Sequence, residues 1–130
     1  MSADEITLTL PRQRPFYRIA HLVLGGLAVR LDLTFEHLED LQLALAGLLD
    51  RPSGNGEVTV SVRVESDAIH ALVGPFADES LRDELGRHEE NDAELSLGRL
   101  LATVVDVVDV EEREGELWVE LTKRVDGVPR

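Results

Sequence analysis

Residues 41–64, LQLALAGLLDRPSGNGEVTVSVRV, change their apolar period within one stretch, and that change decides the fold class. From Leu41 to Leu49, leucines recur at three- and four-residue steps, which is typical of a helix with one buried face. After the turn residues of RPSGNG, every second residue from Val58 to Val64 is valine, and this period of two indicates a half-buried strand. A helix and a strand therefore follow each other across a short glycine-rich turn.

The sequence before this stretch predicts one strand and two helices. EITLTLP alternates apolar and polar residues and predicts a strand that Pro11 ends. Ile19, Leu22 and other apolar residues then recur at helical spacing to about Arg30, and Gly25-Gly26 inside this helix indicates close packing of another element. Thr34 is the expected N-cap of the second helix.

The sequence after it predicts a hairpin, a loop, a helix and a second hairpin. The valine strand and the strand that follows are separated by a polar reversal over 65–67, and the acidic segment 77–94 is expected to form a short helix and a mobile loop. A helix then changes to a strand near Val107, and ELWVELTKRV is the last strand. This order predicts an α+β fold, a two-layer sandwich with helices on one face of a mixed, mostly antiparallel sheet.

Composition restricts the function classes. The 130 residues, 43% of them hydrophobic, fit a single domain over 1–130 with its core at about 5–125. The chain has no cysteine, no signal pattern and no apolar run long enough to span a membrane, so we expect a soluble cytoplasmic protein with no membrane partner. With 26 acidic and 13 basic residues the formal net charge is −13, which disfavours nucleic acid and favours a basic protein partner. The arginines of RQRPFYR are interpreted as a solvated turn.

Neither the histidines nor the carboxylates form a convincing catalytic or metal-binding pattern. The four histidines are not at metal-ligand spacing, so no metal site is expected. Glu36, Glu39 and Asp40 could serve as paired carboxylates, but a solvated helix start that complements the helix dipole explains them. Trp118 in the last strand is interpreted as a packing residue. We therefore predict no catalytic residue.

Two long stretches nevertheless resemble a known family. LTLPRQRPFYRIAHLVLGGLAVRLDLTFEHLEDLQLALAGLL and LLATVVDVVDVEEREGELWVELTKRV are similar to the two ends of the bacterial anti-sigma-factor serine kinases, small members of the histidine-kinase-like (GHKL) ATPases. Asp40, Leu43 and Ala44 match a family phrase in the second helix, and Asp106 and TKR match the last hairpin. The resemblance implies the Bergerat fold of that superfamily.

The resemblance also assigns nucleotide-site positions, and the residues at these positions depart from the family pattern. In the family the second helix carries a glutamate and, four residues later, a metal-binding asparagine, and these places hold Gly47 and Arg51. An aspartate that reads adenine corresponds to Gly74 or Pro75. We expect neither magnesium nor ATP chemistry from these side chains.

A third family motif is reduced in the same way. The glycine-rich turn that holds phosphates is represented by Gly98 alone, with Arg99 beside it. We therefore expect a degenerate nucleotide site and no required cofactor, with ATP and magnesium not favoured.

The function that the resemblance implies is regulation through protein contacts. The expected partner is a sigma factor or an anti-anti-sigma protein, bound through the first two helices and first strand, and the chain is expected to form a homodimer. Arg14, Arg18, Asp32 and Glu36 are the candidate contact residues. Two alternatives stay open: a divergent serine kinase that still binds Mg-ATP weakly, and a sensor whose former nucleotide cavity takes a small ligand.

Overall fold

The computed structural model of the chain describes residues 4–31, 33–50, 56–65, 67–77, 81 and 97–124. Within them the predicted order is confirmed: a strand, two helices, a hairpin, a third helix and a second hairpin. The elements are β1 Asp4–Pro11, α1 Arg14–Leu31, α2 Phe35–Leu49, β2 Glu57–Val64, β3 Ala68–Phe76, α3 Leu97–Val104, β4 Val107–Arg113 and β5 Glu116–Arg124. The segment predicted as a helix and mobile loop lies outside the described residues apart from Ala77 and Leu81, of which Leu81 is buried in the core.

The five strands form one sheet in the order β1-β2-β3-β5-β4. All four pairings between them are antiparallel, in agreement with the expected mostly antiparallel sheet. Two hairpins supply β2-β3 and β4-β5, and the two helices after β1 return the chain into β2 in the opposite direction. The connection that contains α3 crosses over β5, so that β4 runs in the same direction as β3. The register between β1 and β2 runs unbroken from Asp4 to Pro11, whereas that between β3 and β5 shifts between Val73 and Phe76.

The helices cover one face of this sheet, and the described residues leave the other face open. On β5, Leu117, Val119 and Leu121 are buried in the core, whereas Trp118 and Glu120 between them are only partly buried. Because side chains alternate between the two faces of a strand, this pattern separates a helix-covered face from an open face. The predicted two-layer α+β sandwich is confirmed.

The second helix begins and packs as the sequence predicts. Thr34 is its N-cap, and Thr34 Oγ1 accepts a hydrogen bond of 3.1 Å from the backbone N–H of His37. Its leucine stripe is buried, with Leu41 and Leu48 among the least exposed of the described side chains.

The first helix turns only part of its predicted stripe to the core. Leu27 of that stripe is buried and Val23 packs against the core, whereas Ile19 and Leu22 are exposed. Leu24 and two alanines complete the buried side. Almost every residue from Ile19 to Leu31 is apolar, so more than one helical stripe is available to face the core. The stripe that contains alanines lets the helix approach the sheet and α2 more closely.

The prediction that another element packs against Gly25-Gly26 is also wrong for the described residues. Apart from the backbone of α1 itself, none of their heavy atoms lies within 4 Å of a Cβ built on either glycine. Each glycine costs a helix about 1 kcal/mol relative to alanine. Packing among the described residues does not explain that cost.

Candidate functional site

Gly47, the expected position of the family glutamate, lies in α2 where that helix meets α3. A Cβ atom on Gly47 would lie 3.0 Å from Leu100 Cδ2 and 3.1 Å from Leu97 Cδ1. The tips of both leucines therefore occupy the space into which a side chain at this position would extend. Gly47 is thus a close-packing position between two helices.

Gly74, at the candidate adenine-reading position, is covered by the indole ring of Trp118. A Cβ on Gly74 would lie 2.5 Å from Cδ2, 2.7 Å from Cε3 and 2.9 Å from Cγ of Trp118. These distances are too short for any side chain at this position unless the ring moves. The interpretation of Trp118 as a packing residue is confirmed.

The two glycines open toward different parts of the molecule. Gly47 opens toward the leucines of α3 in the helical layer. Trp118 lies on the open face of the sheet, beside Leu72, Arg113 and other residues of a groove of about 590 Å³. Side chains at positions 47 and 74 would therefore extend into different parts of the molecule and would not meet in one site.

Pro75, which follows Gly74 through a cis peptide bond, is held by Arg12. The Arg12 guanidinium donates a hydrogen bond to the Pro75 carbonyl and lies 5.5 Å from the centre of the Phe76 ring, while the Arg12 backbone N–H donates to Gly56 O at 2.9 Å. Burial lowers the pKa of Arg12. For this arginine the expected solvated turn is wrong, because its side chain joins the ends of strands that are distant in the sequence.

Gly98 and Arg99 lie at the start of α3. Gly98 is buried and Arg99 is exposed, and the Arg99 carbonyl accepts a hydrogen bond of 2.8 Å from Thr103 Oγ1. The segment 82–96 that precedes the helix lies outside the described residues, as does Arg51. The positions expected to meet phosphate and magnesium are therefore described only in part.

Asp40, expected to be a solvated residue of the helix start, instead forms an ion pair with Lys123. Lys123 Nζ lies 2.8 Å from Asp40 Oδ2 and donates a second hydrogen bond, of 3.1 Å, to the carbonyl of Val104. The Lys123 side chain is only 14% exposed and that of Asp40 33% exposed. The ion pair joins α2, the end of α3 and β5, and no local sequence signal predicts a pairing across 83 residues.

The described histidines occupy separate places. His70, on β3, lies 3.1 Å from Thr122 Oγ1 through Nδ1 and 3.3 Å from Glu65 Oε1 through Nε2. The Nδ1 atoms of His21 and His37 are buried without a hydrogen-bond partner among the described residues, and burial lowers the pKa of His21. Among the same residues, no group of three or more histidines and carboxylates could hold a metal ion.

Four large apolar side chains on the solvent side of α1 and α2 define what we name the outer helix surface. Leu22 and Val29 of α1 are 70% and 82% exposed, and Phe35 and Leu43 of α2 are 71% and 51% exposed. Leu22 and Val29 are seven residues apart, so they lie on one side of their helix. Large apolar side chains that are exposed to this degree are candidates for a binding surface.

Charged side chains lie around these apolar residues. Arg14, Arg18 and Glu36 are exposed, and Arg14 Nε lies 3.7 Å from Asp50 Oδ1. Asp32, the fourth candidate contact residue, lies outside the described residues.

Among the described helices, none combines the length and the hydropathy that a bilayer crossing requires.

Comparison with known proteins places the chain beside a group of serine-protein kinases, although no protein-family model matches it. It is 27% identical to the serine-protein kinase RsbW of Bacillus subtilis, in an alignment that covers 97% of this chain and 89% of the relative. It is 29% identical to RsbW of Listeria innocua over 95% of this chain and 88% of the relative, and 27% identical to that of Bacillus velezensis over 97% and 89%. The resemblance to anti-sigma-factor serine kinases, drawn from the two ends of the sequence, is thereby confirmed across nearly the whole chain.

Proposed function

We propose that this chain is a regulatory protein-binding domain of the anti-sigma-factor type that acts without phosphoryl transfer. Its partner is a sigma factor or an anti-anti-sigma protein. The domain acts in the cytoplasm as a homodimer. The sequence relationship to serine-protein kinases supports the regulatory role, and the packing around two glycines supports the loss of catalysis.

The contact between Gly47 and the leucines of α3 is the observation that carries the proposal. A catalytic glutamate at this position would have to displace Leu97 and Leu100, whose methyl carbons would lie within 3.1 Å of its Cβ. It would also place a charge against leucine side chains, and an unpaired charge in such surroundings is strongly unfavourable. The local packing is suited to glycine and to apolar contact between helices.

The covering of Gly74 gives independent support. If Gly74 holds the place of the adenine-reading carboxylate, Trp118 occupies the space next to its Cα on the open face of the sheet. If Pro75 holds that place, its ring offers no hydrogen-bond acceptor and its carbonyl already accepts from Arg12. Neither assignment leaves a side-chain oxygen for the base.

The outer helix surface supports a protein as the ligand. An apolar centre with a charged rim is the usual composition of a protein interface. The centre consists of four side chains that are each at least half exposed, and the rim carries Arg14, Arg18 and Glu36. The net charge of −13 favours a basic partner such as a DNA-binding sigma factor.

Calorimetry with Mg-ATP at about millimolar concentration tests the loss of nucleotide binding. We expect no heat of binding and no rise in melting temperature, because a ligand that binds only the folded state raises stability by mass action. Saturable binding accompanied by phosphate transfer to an anti-anti-sigma protein would instead establish the alternative of a divergent serine kinase.

Direct binding tests the choice of partner. Each purified sigma factor and anti-anti-sigma protein of the native host is titrated into the chain without nucleotide, and we expect one of them to form a stable complex. Leu43→Glu, which places a charge in the centre of the outer helix surface, should weaken that complex by about tenfold or more. Ala102→Glu, at an exposed position of α3, introduces the same residue elsewhere and should leave binding unchanged. Absence of any complex would reject the proposed partner class.

The remaining alternative, a small-ligand sensor, predicts a different result. A ligand in the former nucleotide cavity would have to separate α3 from Gly47, because the leucine tips contact that glycine. A neutral metabolite that raises the melting temperature of the wild type but not of Leu100→Trp would favour this alternative.

A further inference from the structure

The groove on the open face of the sheet, which contains Trp118, has a floor of short hydroxyl side chains. In the register of β1 and β2, Thr7 lies opposite Ser61, and their hydroxyl oxygens are 3.1 Å apart. Thr59 precedes Ser61 on the same face of β2, and its hydroxyl oxygen lies 3.0 Å from that of Thr9. These short side chains leave a depression of about 590 Å³ among the longer side chains around them. Sites for small molecules typically have volumes of about 300–1,000 Å³.

An indole ring forms the apolar wall of this groove. Trp118 lies against Gly74 on one side of its ring, and the Arg113 guanidinium lies 5.6 Å from the ring centre. These contacts hold the ring on the sheet. The Trp118 side chain nevertheless stays only partly buried, as does that of Leu72 beside it. An indole that is held and still accessible can bind the apolar side of a ligand at a low cost in side-chain entropy.

The arginines of the groove are already paired with carboxylates. Arg113 Nη2 lies 2.9 Å from Glu111 Oε1, and Arg63 Nε lies 3.4 Å from Glu65 Oε2. A guanidinium paired in this way attracts a phosphate less strongly, because the neighbouring carboxylate repels the same anion. The guanidinium keeps further N–H groups that can donate hydrogen bonds to a neutral acceptor. The groove therefore offers hydrogen-bond donors without a strong positive charge.

Carboxylate oxygens supply the complementary acceptors. Glu5 Oε2 accepts a hydrogen bond of 3.1 Å from Ser61 Oγ, whereas Glu120 Oε2 lies 4.0 Å from His70 Nδ1, beyond hydrogen-bond distance. The Glu120 side chain is 27% exposed, so its carboxylate is accessible to a hydroxyl group of a ligand. The two arginines beside these carboxylates disfavour a ligand with a strong positive charge.

We propose that this groove binds a short neutral saccharide. A sugar ring has an apolar side of C–H groups, which fits against Trp118 and Leu72. Its hydroxyl groups both donate and accept hydrogen bonds, so the Glu120 carboxylate accepts from them and the Arg63 guanidinium donates to them. The site goes beyond the proposed function, because it lies on the face of the sheet opposite the helices that carry the outer helix surface. Its occupation does not depend on the protein partner.

Tryptophan fluorescence reports occupation of the groove directly, because Trp118 is the single tryptophan of the chain. The full chain is titrated separately with maltose, cellobiose, trehalose and N,N′-diacetylchitobiose. We expect at least one of these disaccharides to change the emission saturably, with a dissociation constant in the micromolar to millimolar range. Inorganic phosphate and hexalysine, which probe for an anion and for a basic peptide, should cause no saturable change. A response to phosphate or hexalysine alone, or no saturable response to any disaccharide, would overturn the proposal.

Two variants that keep Trp118 test whether the response arises in this groove. Ser61→Phe fills the floor, and Glu120→Gln removes a charged acceptor with little change in volume, so each should raise the dissociation constant by about fivefold or more. Glu116→Gln is the matched control, because it removes the same charge from the same strand outside the groove, and it should bind as the wild type does. Far-ultraviolet circular dichroism checks that each variant is folded. Wild-type affinity in Glu120→Gln and in folded Ser61→Phe would reject this groove as the binding site.

Discussion

Lys123 binds Asp40 through an Nζ to Oδ2 contact of 2.8 Å that connects the last strand to the second helix. Because both side chains are largely removed from water, deletion of one leaves the other poorly compensated. We expect Asp40→Ala to lower the free energy of unfolding by about 1–2 kcal/mol, between the values typical of exposed and buried pairs. Denaturant titration measures this loss. Exposed Glu39→Ala is the control and should change stability by less than about 0.5 kcal/mol.

Gly74 should not tolerate even a methyl group. In Gly74→Ala, the new Cβ would lie 2.5 Å from Trp118 Cδ2 unless the indole ring moves, so we expect a loss of about 1–3 kcal/mol. Near-ultraviolet circular dichroism and denaturant titration report the ring environment and the stability. The second substitution in Gly74→Ala/Trp118→Leu should recover part of the loss. If the single variant is as stable as the wild type, the Trp118 ring does not exclude a side chain at position 74.

Gly47→Glu should fail to restore nucleotide binding. The carboxylate would meet Leu97 and Leu100, so we expect a lower melting temperature and no response to Mg-ATP. Gly47→Ala is the matched control, because the leucine tips are flexible and need to shift by only a few tenths of an ångström. An increase in melting temperature with Mg-ATP in Gly47→Glu would contradict the proposal that packing has replaced the catalytic position.

Gly25→Ala should stabilise the protein. The new methyl group would meet no heavy atom of the described residues outside α1 within 4 Å, and alanine favours a helix over glycine by about 1 kcal/mol. A thermal melt should therefore show a higher melting temperature. A lower melting temperature would mean that a packing partner occupies the space beside Gly25.

His21 should make stability depend on pH. Burial lowers its pKa in the folded state below the ordinary value of 6.5, so the unfolded chain binds the proton more readily. The contribution of His21 is therefore complete above pH 6.5 and is lost as the pH falls below that value. Denaturant titrations at about pH 7.5 and about pH 5.5 measure the free energy of unfolding at each pH. Its decrease from the higher to the lower pH should be smaller in His21→Gln than in the wild type. Equal decreases in the two proteins would mean that the His21 ring is protonated as easily in the folded state as in the unfolded state.

The order of elements was predictable because the apolar period is unambiguous in most of them. The valines of β2 alternate without exception, and the leucines of α2 other than Leu43 fill one helical stripe. In α1, by contrast, Ile19 and Leu22 compete with Ala20 and Leu24 for the core, and sequence periodicity does not decide between them. The side that faces the core depends on the shape of the surrounding elements.

The candidate site was predictable as a set of positions but not as a set of contacts. The family resemblance pointed to Gly47 and Gly74, yet the residues that cover them, Leu100 and Trp118, come from distant parts of the chain. The same holds for Asp40, whose partner Lys123 is 83 residues away. Such contacts depend on the tertiary arrangement, and local sequence patterns carry no information about them.

The covering of Gly74 by Trp118 also restricts how this sequence can evolve. Any larger residue at position 74 has to be accompanied by a smaller residue at position 118, and the intermediate with only the first change is less stable. Proteins have little stability in excess of what they need, so selection removes many such intermediates. The pair therefore fixes the order of substitutions, since the glycine has to be present before the tryptophan is acquired, and the tryptophan has to be replaced before the glycine.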